Sequence, residues 1–227
     1  YLPYIGFFNK IAKSDLFVFA DNLQFSKKSW HNRTIISDRT GEEILLTIPV
    51  RTKDNFFQKI NEVKIESNHW KRKHLKTIRF NYSKTKGFDE VFPIIEKCLN
   101  IDSDFLVDFT IPLISEFMKL LSINIPIKIG SEIEIKGEKT ELLIDICKKT
   151  NYETYLSGPG AKNYFIPELF KEVKLDHKFN YFTHPEYKQN SDKFLKGMAI
   201  CDMFFYEGVN NAKKIFWKNV NQNPSFE

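Results

Sequence analysis

Leu16-Phe17-Val18-Phe19-Ala20-Asp21 is the stretch whose reading decides the fold. Five apolar residues run without alternation and end on an acid. A strand with one wet face alternates apolar with polar residues, whereas a strand covered on both faces does not. The run therefore predicts a doubly buried strand of a parallel sheet. Asp21 then sits at its carboxyl end, where ligand sites gather in open α/β sheets. Upstream, residues 3–14 predict a helix entered through Pro3 and Gly6, with Phe7, Phe8 and Ile11 at helical spacing. Downstream, residues 33–37 and 43–50 flank Asp38-Arg39-Thr40-Gly41, a hairpin signal. Residues 61–66 alternate and predict an extended segment.

A helix is predicted over 68–82, because Trp70, His74, Ile78 and Tyr82 are spaced by four and share one face. Lys71, Arg72, Lys73, Lys76 and Arg79 fall elsewhere around it. Further helices are predicted at 88–99, 103–122, 139–150 and 197–208, with a short strand at 127–129. Tyr155-Leu156-Ser157 predicts a strand, followed by the turn Gly158-Pro159-Gly160 and a helix from Ala161; residues 173–183 look extended. Strands alternating with helices argue an α/β class. The expected architecture is three-layered and Rossmann-like, with a mainly parallel sheet, a β-hairpin and a helical insertion at 88–125 of one domain, 1–227.

The 227 residues are 42% hydrophobic and 28% charged, which supports a globular core and excludes a disordered chain. No apolar run approaches about 18 residues, so no membrane-spanning helix is expected. No secretory apolar segment opens the chain, and Cys98, Cys147 and Cys201 are too far apart for metal spacing. They read as reduced core thiols of a cytoplasmic protein. Most of the 22 Phe lie in apolar runs such as Phe17/Phe19 and Phe204/Phe205, so they read as core rather than as base-stacking platforms. With no recognisable RNA-binding signature, no nucleic-acid partner is expected. The net charge of +5 is uneven. Residues 1–90 hold 17 Lys/Arg against 10 Asp/Glu, and residues 51–86 alone hold 11 against 3. That concentration suits a local site for a phosphorylated ligand better than a polymer-binding face.

P-loop, dinucleotide, nucleophile-elbow and zinc-protease motifs are all missing. His69 and His74 diverge on a helix, so no metal site is expected. Asp21, with Gln24 three residues on, is a candidate functional acid; its competing role is a turn cap. The run from Lys27 to Arg33 places Lys28 and Arg33, which can grip phosphate, beside Trp30, which can stack on a base or sugar. His74 is a candidate general acid or base, and a buried, hydrogen-bonded structural role competes with it. Ser157 and Gly158 open a glycine turn that can present N–H groups to an anion. Tyr187 and Gln189 lie in a polar loop as candidate ligand contacts, against a plain surface turn.

Taken together, these segments resemble the WbqC-like protein family. The likeness rests on an ordered set of short matches through nearly the whole chain. They are residues 2–8, 15–25 and 28–33, Thr47-Ile48-Pro49-Val50, Trp70-Lys71-Arg72-Lys73-His74 with Lys76-Thr77-Ile78, Tyr155-Leu156-Ser157-Gly158 with Ala161 and Tyr164, Tyr187-Lys188-Gln189, and Asp202 with Gly208. The family usually begins with a short apolar strand and a Gln-Pro pair ahead of the position of Tyr1. It also tends to carry two acids where this sequence has Asp21-Asn22. The resemblance implies a bacterial protein of O-antigen or other surface-polysaccharide biosynthesis, moving an acyl or aminoacyl group, glycyl among them, onto an amino sugar borne by a nucleotide. It implies His74 or Asp21 as base, and the Ser157–Gly160 turn or Gln189 as oxyanion donors. Lys28 and Arg33 would hold a diphosphate, with Pro3, Gly6, Gln24, Trp30 and Tyr187 lining the site. No resident cofactor is expected, though ATP or an acyl carrier could supply the activated group. Two other readings stand beside it: a non-catalytic module for a nucleotide sugar or carrier protein, and an RNA-binding protein. The opening order also suggests nucleotidyltransferase-like domains, but Tyr4-Ile5-Gly6-Phe7 lacks the two histidines of their signature.

Overall fold

The structure, a computed structural model, describes residues 1–53, 55–191 and 193–222. Helix α1 (Ile5–Ala12) leads into β1 (Phe17–Phe19), and the hairpin β2 (Arg33–Ser37) and β3 (Glu43–Thr47) follows. Three helices come next: α2 (His69–Tyr82), α3 (Phe88–Leu99) and α4 (Val107–Leu120). Then come β4 (Ile127–Ile129), α5 (Lys139–Thr150), β5 (Thr154–Ser157), α6 (Pro167–Glu172) and β6 (Asp176–Phe179). Helices α7 (Ile200–Glu207) and α8 (Val209–Gln222) complete the order.

β1 pairs in parallel with β4, Phe17 opposite Ile127. β5 pairs in parallel with β6, Tyr155 opposite His177, while β2 and β3 pair antiparallel with Arg33 opposite Thr47. Among the described residues the strands pair two by two, where the sequence predicts one mainly parallel sheet. The class is therefore mixed α/β, with small parallel and antiparallel sheets among eight described helices. A cleft of about 380 Å³ holds the parallel pairs apart, with β1 residues Phe17 and Val18 on one wall and β5 residues Thr154 to Leu156 on the other. That opening also explains why Phe17 and Val18 are only half-buried, and not covered on both faces.

The period of four in α2 holds: Trp70, His74, Ile78 and Tyr82 are all buried. Tyr82 stacks on Phe205 of α7 at 4.5 Å between ring centroids, and Phe88 stacks on Phe92 within α3 at 4.8 Å. α5 ends at Asn151, whose left-handed backbone (φ 60°) lets the Tyr152 N–H reach back to the Cys147 carbonyl at 3.1 Å. Cys98, Cys147 and Cys201 are buried and free. Among the described residues no helix is long and apolar enough to cross a membrane.

Three segments depart from the sequence-based expectation. Residues 61–66 form no continuous strand. Ile60–Glu62 is a single 3₁₀ turn, and Ile65 donates its N–H to the Asp104 carbonyl at 2.7 Å. The helix predicted from Ala161 is a 3₁₀ turn, Pro159–Asn163, with α6 beginning only at Pro167. The helix predicted over 197–208 begins only at Ile200 and ends at Gly208 (φ 73°) as expected, but an unpredicted α8 follows at once, burying Ala212, Phe216 and Val220.

Candidate functional site

Residues 24–33 and 55–59 are linked loops that carry two cation–aromatic pairs. Gln24 bridges Lys59, and its side-chain amide donates to the Phe56 carbonyl at 3.1 Å, so the two loops are tied together. Lys27 Nζ lies 4.7 Å from the centroid of the Phe56 ring, and the Arg33 guanidinium lies 5.6 Å from that of Trp30. Arg33 Nε also donates to the Ser29 carbonyl at 3.2 Å, which fixes the fork beside the indole. Trp30 is 61% exposed and Phe57 83%, far outside the core to which the sequence assigns most aromatics. Lys28 stands at φ 59° in the same loop.

Behind these loops lies a buried polar cluster around Tyr1. Tyr1 OH lies 3.1 Å from His74 Nδ1, and the Tyr1 nitrogen donates to the carbonyls of Trp30 and His31 at 3.0 Å each. Burial pulls the His74 imidazole down to about 4, only partly offset by its bond to the Thr47 backbone, and Lys73 lowers it further. His74 is therefore neutral at physiological pH. With the phenol donating, Nδ1 is the accepting nitrogen. The buried atoms His31 Nδ1 and Trp70 Nε1 have no hydrogen-bond partner among the described residues. Such orphaned groups are rare inside proteins and mark strained or ligand-binding places.

Asp21 closes the carboxyl ends of β1 and β4. Its carboxylate accepts from Ser131 N at 2.7 Å, Ser131 Oγ at 2.6 Å and Asn61 Nδ2 at 3.2 Å. Those bonds tether the loops after each strand. Pro3 and Gly6 sit at the entry to α1. The Pro3 carbonyl accepts from Ile200 N, and a side chain at Gly6 would meet the Tyr4 and Phe182 rings at 2.4 and 2.7 Å.

Tyr187 and Gln189 do not face solvent as sequence reasoning expects of a polar loop. Both turn inward to Asp202 of α7, which is fully buried. Asp202 accepts from Tyr187 OH at 2.7 Å, Gln189 Nε2 at 3.2 Å, Ser37 Oγ at 2.5 Å and the Tyr82 hydroxyl. Burial and the Asp202 charge push both phenols well above their usual range, so they remain donors. The signal for this hub was an acid inside the apolar run 200–205.

Ser157 closes β5, and its hydroxyl lies 2.8 Å from His177 Nε2 on β6. Gly158 follows it in the open turn. The α2 cations are spent partly on packing: Lys71 Nζ donates to the Ile101 carbonyl at 2.8 Å, and Arg79 lies over Phe92 and 3.6 Å from Glu96. The candidates thus fall into separate groups: the Gln24–Lys28–Trp30–Arg33 loop with His74 behind it, the Asp21 tether, the Tyr187–Gln189 hub and the Ser157 turn. The cleft between β1 and β5, lined also by Lys10, Lys13 and Lys178, contains none of them.

A family model described as "WbqC-like protein family" matches residues 1–214. A curated relative, "Uncharacterized protein Rv1507c" of Mycobacterium tuberculosis, is 30% identical over 211 residues, covering 92% of this chain and 91% of its own. No solved structure matches the chain.

Proposed function

The chain belongs to the WbqC-like protein family, and on that footing we propose that it transfers an acyl or aminoacyl group, glycyl among them, to the amino group of a nucleotide-linked sugar in bacterial surface-polysaccharide biosynthesis. The observation that carries the reading is the exposed Trp30 indole with Arg33 beside it and Lys27 over Phe56 on the adjoining loop. A nucleotide sugar needs both halves of that face. Its base or sugar ring takes an aromatic surface, and its diphosphate takes a guanidinium fork and ammonium groups. Lys28 belongs to the same loop.

His74 supports the transfer step through its protonation state. Amide formation needs a base to take a proton from the attacking amine; a neutral imidazole can do so, and in His74 this requires the Tyr1 hydroxyl to give up Nδ1 to the amine. Trp70 Nε1, whose ring meets His74, and His31 Nδ1 are orphaned groups that substrate polar atoms would satisfy. ATP or an acyl carrier would bring the activated group, and a cytoplasmic location follows from a nucleotide-sugar substrate. We also propose the finer, Rossmann-like reading of the fold, with β1–β4 and β5–β6 as two halves of one parallel layer. Both pairs are parallel and each turns a strand to the same cleft.

A second reading, a nucleotide-sugar or carrier-binding module without catalysis, is favoured by one observation. His74 and Asp21 are both engaged in bonds that stabilise the fold. Thermal shift with UDP- and dTDP-sugars, against single-stranded RNA, tests the binding face. Incubation of an amino-sugar nucleotide with glycyl or acyl donors tests turnover. Stabilisation with product formation that falls in His74→Gln supports the enzyme. Stabilisation without product leaves the module, and stabilisation by RNA alone overturns both.

A further inference from the structure

Ser157 and His177 form a hydroxyl–imidazole pair that nothing above uses. The parallel register sets Tyr155 opposite His177 and Ser157 opposite Phe179, so Tyr155, Ser157, His177 and Phe179 share one face of the β5–β6 pair. His177 is held by rings: Phe165 stacks on it at 3.7 Å, and Phe179 meets it edge-on at 4.5 Å. The imidazole is thereby fixed with Nε2 2.8 Å from Ser157 Oγ. Burial lowers its affinity for a proton below that of an ordinary histidine, so it stays neutral and able to accept one.

The glycines after Ser157 give the second observation. At Gly87 or Gly130 an added Cβ would lie within 3.0 Å of backbone or side-chain atoms, so packing demands glycine there. At Gly158 and Gly160 it would meet nothing within 4 Å. Gly158 has φ −75° and ψ 165°, which any residue adopts. Neither packing nor backbone conformation calls for glycine at 158. Its missing side chain leaves the turn that follows Ser157 uncrowded, while Ser157 itself is only 3% exposed, so an acyl group would reach its hydroxyl past that turn.

From this pairing we propose that Ser157 is a nucleophile, with His177 as its base, that captures an acyl group from a thioester or comparably activated ester. Oγ bonds to the acyl carbonyl carbon while its proton passes to His177 Nε2. The carbon–sulfur bond then breaks, and the departing sulfur takes that proton and leaves as a thiol. An amine later attacks the Ser157 ester: the carbon–nitrogen bond forms, the carbon–Oγ bond breaks, and the amine proton returns through His177 to Oγ. The sum is thioester plus amine giving amide plus thiol. The inference rests on the transfer reading for its acceptor, but capture itself requires no sugar.

The test is intact-mass and peptide mass spectrometry of the protein incubated with an acyl-N-acetylcysteamine thioester, without any sugar. We expect one acyl group on the peptide holding Ser157, and none there in Ser157→Ala. His177→Phe, which preserves the ring stack, is expected to slow labelling about a hundredfold. Gly158→Ala serves as the check on folding, since beyond its chain neighbours its methyl meets nothing within 4 Å; it is expected to melt like the parent. Absence of an adduct, adducts confined to lysines, or unchanged labelling in His177→Phe would overturn the assignment. So would acyl transfer to an amino sugar that persists in Ser157→Ala. Labelling without any transfer to sugar would uphold the pair and count against the sugar-transfer reading instead.

Discussion

Ser37 Oγ donates to Asp202 Oδ1 at 2.5 Å across 165 positions of sequence, joining the hairpin to α7. The Tyr82, Tyr187 and Gln189 side chains converge on the same carboxylate. A buried carboxylate is tolerable when neutral donors saturate it, and the donors in turn depend on it. Asp202→Asn places an amide where only acceptors serve, and is expected to cost about 3 kcal/mol. Tyr187→Phe removes one bond to a charged group and should cost about 2 kcal/mol. Urea unfolding measures both, and a loss below the level of ordinary surface substitutions in Asp202→Asn would remove the hub from the account of stability.

The Trp30–Arg33 pair predicts the opposite pattern. Trp30 is mostly exposed, so Trp30→Ala should change unfolding free energy by less than about 0.5 kcal/mol. If a nucleotide sugar stacks there, the same change should weaken its binding about tenfold, the value of one cation–π and stacking contact. Arg33→Lys keeps the charge but loses the planar fork, and a similar loss is expected. Calorimetric titration with UDP- and dTDP-sugars decides; equal affinity in parent and Trp30→Ala would move the ligand off this face.

What could be read from sequence was local. The four-residue spacing of Trp70, His74, Ile78 and Tyr82 announced α2 and its buried face, and α5 lies at 139–150 as its pattern predicts. The unread parts depend on distant partners. Residues 61–66 alternate like a strand, yet only Lys64 and Ile65 bridge, to Phe105 and Val50, and the other backbone bonds of the segment scatter over partners such as Asp21 and Pro49 that no local pattern encodes. α8 is missed although Ala212, Phe216 and Val220 carry the same four-residue spacing as α2, because Gly208 reads as the end of the helical stretch and only the structure shows a second helix starting directly after it. Within the candidate site, Trp30 beside Arg33 was visible as a short cluster. Tyr187 and Gln189 read as ligand contacts or a plain surface turn because their loop is polar; in the structure both bond to Asp202, a partner 13 to 15 residues away that the loop's own pattern does not encode. The Ser157–His177 pair depends on the register of two strands 20 residues apart, which spacing alone does not reveal.

Asp21 and Ser131 give a third prediction. Two of the carboxylate's bonds go to Ser131 and one to Asn61, so Asp21 holds the loops after β4 and β1 together. Asp21→Asn retains the shape but turns an acceptor into a donor facing other donors, which should cost about 2 kcal/mol. Hydrogen exchange should quicken in residues 130–135 before other regions respond. Were Asp21 instead a base with no tethering role, exchange would stay at the parental rate while turnover fell.

His74 predicts an acid-sensitive fold. Its folded value of about 4 lies below the ordinary 6.5, so between those values the unfolded chain binds a proton that the native imidazole refuses. The stability His74 contributes is therefore intact above pH 6.5, declines as pH falls through that window, and levels off below about 4. From pH 7.5 to pH 5 the decline attributable to this residue should be about 2 kcal/mol. Gln at position 74 cannot take up the proton, so unfolding free energy in His74→Gln should vary less with pH over this range, although it is lower throughout because the Tyr1 bond and the Trp70 contact are disturbed. Urea titrations at half-unit pH steps compare the two slopes; identical slopes would show that the imidazole protonates as readily in the folded chain as in the unfolded one, and burial would then not be what holds His74 neutral.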